Sequence, residues 1–333
     1  MTLYAVDAID DAIDATRSLL WPFDVGRWLR LMLVVFFVGG AGGSTTSQFG
    51  GSASTGSGPQ PGSLPQPYPP ETVLPGGAEL LVIGAVLAAV AAVVLGLLFV
   101  GSVMEFVFVE SLRREAVSIR RYWRDRWRAG VRLFGFRLLL GAITLTLAGA
   151  VLTPALLPAL SGEGSVAVGL LLLAAPVLLG LTVVSGLVGG FTTNFVVPVM
   201  LVEERSVVSA WRRFWPVLTG QWKQYAAYVA LAFVLRTAAG VLSAVAVVYG
   251  VIAAAIPFAI TGAVGLTLLS VATPVGAALI AVSVVLFVLA VVAVALFVSV
   301  PVQTYLRYYA LFVLGDTDAE FDLIAERRRA VRE

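Results

Sequence analysis

Apolar and polar positions along this chain fall into blocks rather than alternating residue by residue. Apolar runs cover about 27–43, 78–109, 133–160, 166–202, 225–256 and 275–300. Most of them exceed the ~20 residues that a helix needs to cross a hydrocarbon core. The pattern predicts an all-α, polytopic helical membrane protein of about six transmembrane helices, paired as three hairpins, in a single membrane domain over 1–333. The run 78–109 would be roughly 48 Å long as a helix, so it must tilt or continue beyond the bilayer.

The polar blocks differ among themselves. Residues 1–26 read as a cytoplasmic amphipathic helix with Val6, Ile9, Ile13, Thr16 and Leu20 on its apolar side and Asp10 and Asp14 set to pair with Arg17. Such an acidic helix is expected to lie against the protein's own basic segments or to present a solvated face. Residues 44–77 are Gly, Ser, Pro and Gln-rich and predict a disordered exterior loop. Segments 110–132 and 203–224 are basic and aromatic, and both are expected at the cytoplasmic interface. In the tail, 315–333, Thr317-Asp318-Ala319-Glu320 has capping-box spacing and predicts a helix over 318–332.

An internal repeat runs through these blocks. Trp-Pro-x-x-x-Gly-x-Trp occurs at Trp21–Trp28 and again at Trp215–Trp222, and Arg-Arg-aromatic-Trp at Arg120–Trp123 and Arg212–Trp215. The chain therefore reads as three copies of a unit in which an Arg/Trp-rich segment leads into a hydrophobic span. The run 166–202 is interrupted at Gly186, Gly189, Gly190, Thr192, Thr193 and Asn194, which predicts a kinked or broken helix. Pro257 to Pro274 reads as an apolar exterior turn.

Composition narrows the chemistry. The chain has 333 residues, 59% hydrophobic, and contains neither Cys nor His. That removes thiolate nucleophiles, disulfides, and the commonest metal ligand and general base, so no cofactor or metal is expected. Charge fixes an expected orientation: 44–77, 161–165 and 257–274 contain no Lys or Arg, so these loops read as exterior and both termini as cytoplasmic at the cell membrane.

Leu3–Arg17, Trp21–Arg30, Arg212–Trp222 and Tyr308–Asp316 resemble an uncharacterised family of multi-pass membrane proteins from haloarchaea. Val199–Leu218 is more distantly similar to the membrane domain attached to some glycerophosphodiester phosphodiesterases. The resemblance implies a shared helical membrane fold. It supplies no catalytic motif, because the phosphodiesterase domain of that distant family is a separate barrel with no counterpart here.

Ionisable and amide groups inside apolar spans are the candidate functional residues, since a charge at the bilayer centre costs at least ~2.5 kcal/mol. Arg236 lies about 12–16 Å beyond Tyr225–Tyr228 at helical rise and is expected to have a buried partner, Glu105 being the first candidate. Glu105, Asn194 and Gln303 fall in the inner parts of the second, fourth and sixth spans and would converge on one vestibule; alternatively they serve as interhelical glue. Arg120, Arg121, Arg212 and Arg213 are candidates for binding lipid phosphate through guanidinium forks; alternatively these Arg/Trp segments only anchor the interface. Three function classes stay open: a non-enzymatic protein that organises membrane lipids or a partner membrane protein, a transporter or channel using the polar residues of the even spans, and a carboxylate-only membrane enzyme. No nucleic-acid partner is expected.

Overall fold

The computed structural model describes residues 4–41, 77–162 and 164–333. Among the described residues every regular element is helical. The predicted exterior loop lies outside them as far as residue 76.

Helix α1 (Tyr4–Leu20) is followed by α2 (Val25–Val35), which Asp24 caps by accepting a hydrogen bond from the Gly26 amide at 2.8 Å. A π-helical turn, Phe36–Ala41, extends α2. Then come α3 (Gly77–Arg113), α4 (Ile119–Leu160) and α5 (Gly164–Phe191), the last continuing through a π-helical turn (Thr192–Val196) into α6 (Val197–Glu203). Helix α7 (Val207–Gly220) leads to α8 (Trp222–Leu268) and α9 (Thr273–Thr317), and a short 3₁₀ turn (Ala319–Phe321) precedes α10 (Ala325–Arg332).

Among the described residues, five helical stretches are long and apolar enough to cross a bilayer: Leu80–Arg113, Ile119–Leu160, Gly164–Glu203, Trp222–Leu268 and Thr273–Thr317. In their most apolar windows at most 11% of residues are buried by the protein itself. Surface of that kind needs a hydrocarbon solvent, and lipid supplies it. The first predicted span corresponds to α2 and its π turn, shorter than the other five.

The long helices associate as a strip α3–α4–α5 and a hairpin α8–α9, with α1 and α2 against α9. Gly162, at φ +85°, makes the turn between α4 and α5 in a conformation that a side chain would strain. The buried core gathers at the end of the bundle that holds both termini. There α3 is buried on every side from Gly101 to Leu112, the π turn and α6 from Thr192 to Leu201, and α9 from Arg307 to Leu314. Helix α7 closes this core with Phe214, which stacks on Phe195 at 5.5 Å between ring centroids.

Several expectations are corrected. Helix α1 buries Ala5, Ala8, Ala12 and Ala15 together with the expected Thr16 and Leu20, whereas Val6 and Ile13 are 48% and 49% exposed. Small residues let the two backbones approach, so that the Tyr309 hydroxyl reaches the Ala5 carbonyl at 3.0 Å. Arg17 does not pair with Asp10 or Asp14 among the described residues; Asp11 instead bonds Arg332 of the tail at 2.7 Å. Helix α4 begins at Ile119, so most of the basic segment 110–132 is the first part of a crossing helix. Of the kinked or broken helix expected over 166–202, the break is absent, and a π turn, Thr192–Val196, falls at the predicted irregularity. Pro257 lies within α8, which continues to Leu268, and the turn is confined to Leu269–Ala272. The predicted tail helix is split. Asp318 caps only the 3₁₀ turn, and Asp322 accepts from the Ile324 amide at 3.0 Å just before α10. The two Trp-Pro motifs also differ locally, Pro22 preceding α2 while Pro216 sits inside α7.

Candidate functional site

Glu105 sits at the centre of the buried stretch of α3, fully inaccessible to solvent. Its Oε2 accepts from Arg137 Nη2 of α4 at 3.4 Å, and its Oε1 is paired with Arg307 Nη2 of α9. The same two guanidinium groups converge on the π turn. Arg137 donates to the Thr193 hydroxyl at 3.1 Å, and Arg307 Nη1 donates to the Thr193 carbonyl at 2.6 Å. The π turn interrupts the regular helical ladder at this point and brings Thr193 to both guanidinium groups. Arg137 also donates to Ser102 Oγ at 3.3 Å, and the Arg307 guanidinium lies 5.8 Å from the Phe108 ring centroid. Two cations share one carboxylate, which leaves the cluster with a formal excess of one positive charge.

Arg236 is not part of this cluster and makes no ion pair among the described residues. The expected pairing with Glu105 is therefore wrong: Glu105 is already saturated by two closer cations. Arg236 instead lines a partly open cleft of about 290 Å³ between α5 and α8, together with Gly186, Gly190, Asn194, Tyr228 and Phe233. The three polar groups of the even spans do not share a vestibule. Asn194 faces the Arg236 cleft, Glu105 is enclosed, and Gln303 lies on Gly39 in the first π turn, where an added Cβ would meet its Nε2 at 3.2 Å.

The four candidate headgroup arginines also separate. Arg213 is committed within the protein to Glu203 at 3.3 Å, to Glu320, and to the Phe321 ring at 5.6 Å. Arg120, Arg121 and Arg212 are exposed and make no ion pair among the described residues. Nearby, the buried Glu110 carboxylate holds the Arg114 guanidinium above its ordinary pKa, through a hydrogen bond first and charge attraction second. In the tail Arg328 bridges Asp316 at 3.2 Å and Asp322 at 3.3 Å, which pins α10 to the end of α9.

Arg137 and Arg307 carry this geometry without being candidates on sequence grounds, and Thr193 enters there only as part of the interruption in the 166–202 run. The available signal was a charge imbalance: Arg137 and Arg236 interrupt apolar runs and Arg307 lies just beyond the last one, whereas Glu105 is one acid deep in such a run. At least one of these arginines had to share its carboxylate or do without.

Long apolar helices left uncovered by protein and joined through a buried ionic centre define a polytopic helical membrane protein. The chain belongs to the family of unknown function DUF7544, whose model matches residues 3–324. No curated protein and no solved structure matches it.

Proposed function

We propose that this protein organises lipids in the cell membrane and catalyses no reaction, holding an anionic lipid in the cleft between α5 and α8 with its phosphate on Arg236. The observation that carries this reading is a guanidinium with no ion pair among the described residues, in a cleft whose other walls are almost wholly apolar. A charge at that depth favours a counter-ion, and a lipid phosphate is the anion the surroundings supply. Gly186 and Gly190 leave room beside it, and Asn194 offers an amide donor. The exposed Arg120, Arg121 and Arg212 extend the same preference to the membrane surface. The likeness of Val199–Leu218 to a membrane domain that accompanies a separate catalytic barrel supports a role outside catalysis.

Arg236→Gln tests this directly. Purified from membranes containing phosphatidylglycerol and phosphatidylcholine, the wild type retains phosphatidylglycerol in native mass spectrometry, and the variant loses about tenfold of the occupancy of one site. Its thermal stability in detergent stays within about 0.5 kcal/mol, because no protein group loses a partner. Unchanged lipid retention would overturn the reading.

The charge pattern orients the protein with the end that holds both termini in the cytoplasm. Single cysteines at Gly164 and Ser270, both exposed at distal turns, are expected to react with an impermeant maleimide on intact cells, and those at Ser118 and Ser209 only after lysis. Labelling of Ser209→Cys from outside would reverse the orientation.

The π turn beside Asn194 favours one alternative, a transporter or channel in which this irregular backbone moves during passage of a small solute or lipid. Flux across proteoliposomes that depends on Asn194 would select it over a lipid-organising role.

A further inference from the structure

The opposite face of α5 borders a second cleft, of about 380 Å³, shared with α4 and the inner part of α3. Its lining is ordered along the helix axes. Toward the inner end lies Arg137, with Thr192 and Thr193 beside it and the apolar Leu98, Phe134 and Phe136 flooring the cleft. One turn outward, Gly141 of α4 and Gly189 of α5 carry no side chains, and the cleft has its room there. Beyond them stand the hydroxyls of Thr144, Thr182 and Ser185, and after those the wall turns apolar at Leu145 and Ala148.

We propose that this cleft is a second lipid site, built for an anionic glycerophospholipid whose phosphate meets Arg137, whose glycerol backbone lies among the three hydroxyls, and whose chains run outward along α4. It does not rest on occupancy of the Arg236 cleft.

Charge supplies the first argument. Arg137 and Arg307 together carry two positive charges against the single charge of Glu105. Arg137 makes three hydrogen bonds, to Ser102, Glu105 and Thr193, so two of its five N–H donors are without a bond among the described residues. A monoanion at the cleft neutralises the excess. A headgroup that brings its own ammonium restores the excess, so the cleft discriminates against zwitterionic lipids.

Hydrogen bonding supplies the second. Thr144 and Thr182 donate to the carbonyls of Leu140 and Leu178, each at 2.8 Å, and Ser185 donates to Thr182 at 3.2 Å. These internal bonds satisfy the hydroxyls while the cleft is empty, and a hydroxyl can rotate to donate to the oxygen of an ester or ether instead. Position supplies the third, because Arg137, Gly141, Thr144, Leu145 and Ala148 share one face of α4 at helical spacing. The order of cation, space, hydroxyls and apolar wall follows the order of phosphate, glycerol and chain in a lipid whose head points to the charged end. A free phosphate ester would leave the apolar wall unfilled.

Gly141→Leu provides the test, because an added Cβ at Gly141 meets nothing within 4 Å, which leaves room for a side chain that occupies the cleft. In nanodiscs that mix phosphatidylglycerol with phosphatidylcholine, native mass spectrometry is expected to find two tightly held phosphatidylglycerol molecules on the wild type. Gly141→Leu and Arg137→Gln should each lose the same one, with affinity down more than about tenfold, and Arg236→Gln the other. Gly141→Leu should keep the melting temperature of the lipid-free protein. Retention of phosphatidylcholine equal to phosphatidylglycerol at the site removed by Gly141→Leu would overturn the proposal. Two further results would overturn it: unchanged phosphatidylglycerol occupancy in Gly141→Leu, or competition by soluble glycerol 3-phosphate as effective as by the lipid. Loss of only the Arg236-dependent molecule in Arg236→Gln leaves this site standing, so the two readings fail separately.

Discussion

Glu105→Leu is expected to give the largest loss of stability of any single substitution in this chain. The carboxylate is wholly buried and bonded to Arg137 and Arg307, so its removal strands two guanidinium groups in the buried core. Breaking one buried pair by deleting a partner typically costs about 3–5 kcal/mol, because the remaining charge has lost both water and counter-ion. With two charges stranded, the variant should accumulate poorly or unfold at markedly lower temperature in detergent. Arg307→Met alone should cost less. It leaves Glu105 Oε2 with Arg137, removes the excess positive charge, and sacrifices the pairing with Oε1 and the bond to the Thr193 carbonyl. The triple variant Glu105→Leu, Arg137→Leu, Arg307→Met should recover most of the loss, as apolar replacement of a whole buried ionic group often does. A Glu105→Leu protein as stable as wild type would mean that the ionic centre does not hold the three helices together. A triple variant no better than the single would shift the cause to packing.

The block pattern of the sequence carried the fold class and the positions of the long helices, because a membrane helix must satisfy its backbone internally and present apolar side chains to lipid over its full length. What it did not carry were relations between distant segments. Glu105 and Arg307 lie about two hundred residues apart in the chain, and nothing local to Tyr305-Leu306-Arg307-Tyr308 marks which acid its guanidinium will find. The choice of face on α1 failed for a related reason. Side-chain hydrophobicity selects Val6 and Ile13, but close approach to α9 selects the alanines, and the distance of approach is a property of two helices at once. Pro257 was read as a turn because proline ends most helices in water. Inside an apolar stretch, breaking the helix would expose more backbone than the one hydrogen bond that proline removes.

The candidate site was legible as a set of residues but not as an arrangement. Arg236 and Asn194 do share a cleft, whereas Glu105 and Gln303 belong to other surroundings. Residues 186–194 explain the difference. They supply Gly186, Gly190 and Asn194 to the face of α5 that looks at α8, and Gly189, Thr192 and Thr193 to the face that looks at α4. One irregular stretch therefore serves two clefts, and at residue level it reads only as a break in the helix.

Gly130→Ala is the second substitution with a large expected effect, and it tests how rigidly the ionic centre is positioned. Helices α3 and α4 cross so closely at this glycine that an added Cβ would lie 2.4 Å from Val103 Cγ2 and 2.9 Å from Val103 Cα. The second clash is with backbone, so rotating the valine cannot relieve it, and α4 must move away from α3. Overpacking of this kind costs about 1–3 kcal/mol. The displacement also reaches Arg137, two turns further along α4, and lengthens a bond to Glu105 that is already 3.4 Å. Gly130→Ala should therefore lower thermal stability, and Gly130→Leu should lower it more. Adding Val103→Ala should restore only part of the loss, because it removes the clash with the valine methyl and leaves the one with the backbone. Gly135 and Gly149, on the same helix with nothing within 4 Å of an added Cβ, serve as controls. Alanine at either should be neutral or stabilising by up to about 1 kcal/mol through helix propensity. Full rescue of Gly130→Ala by Val103→Ala would show that α3 and α4 are held apart by a side chain alone, and that the position of Arg137 does not depend on the close approach of the two backbones at Gly130.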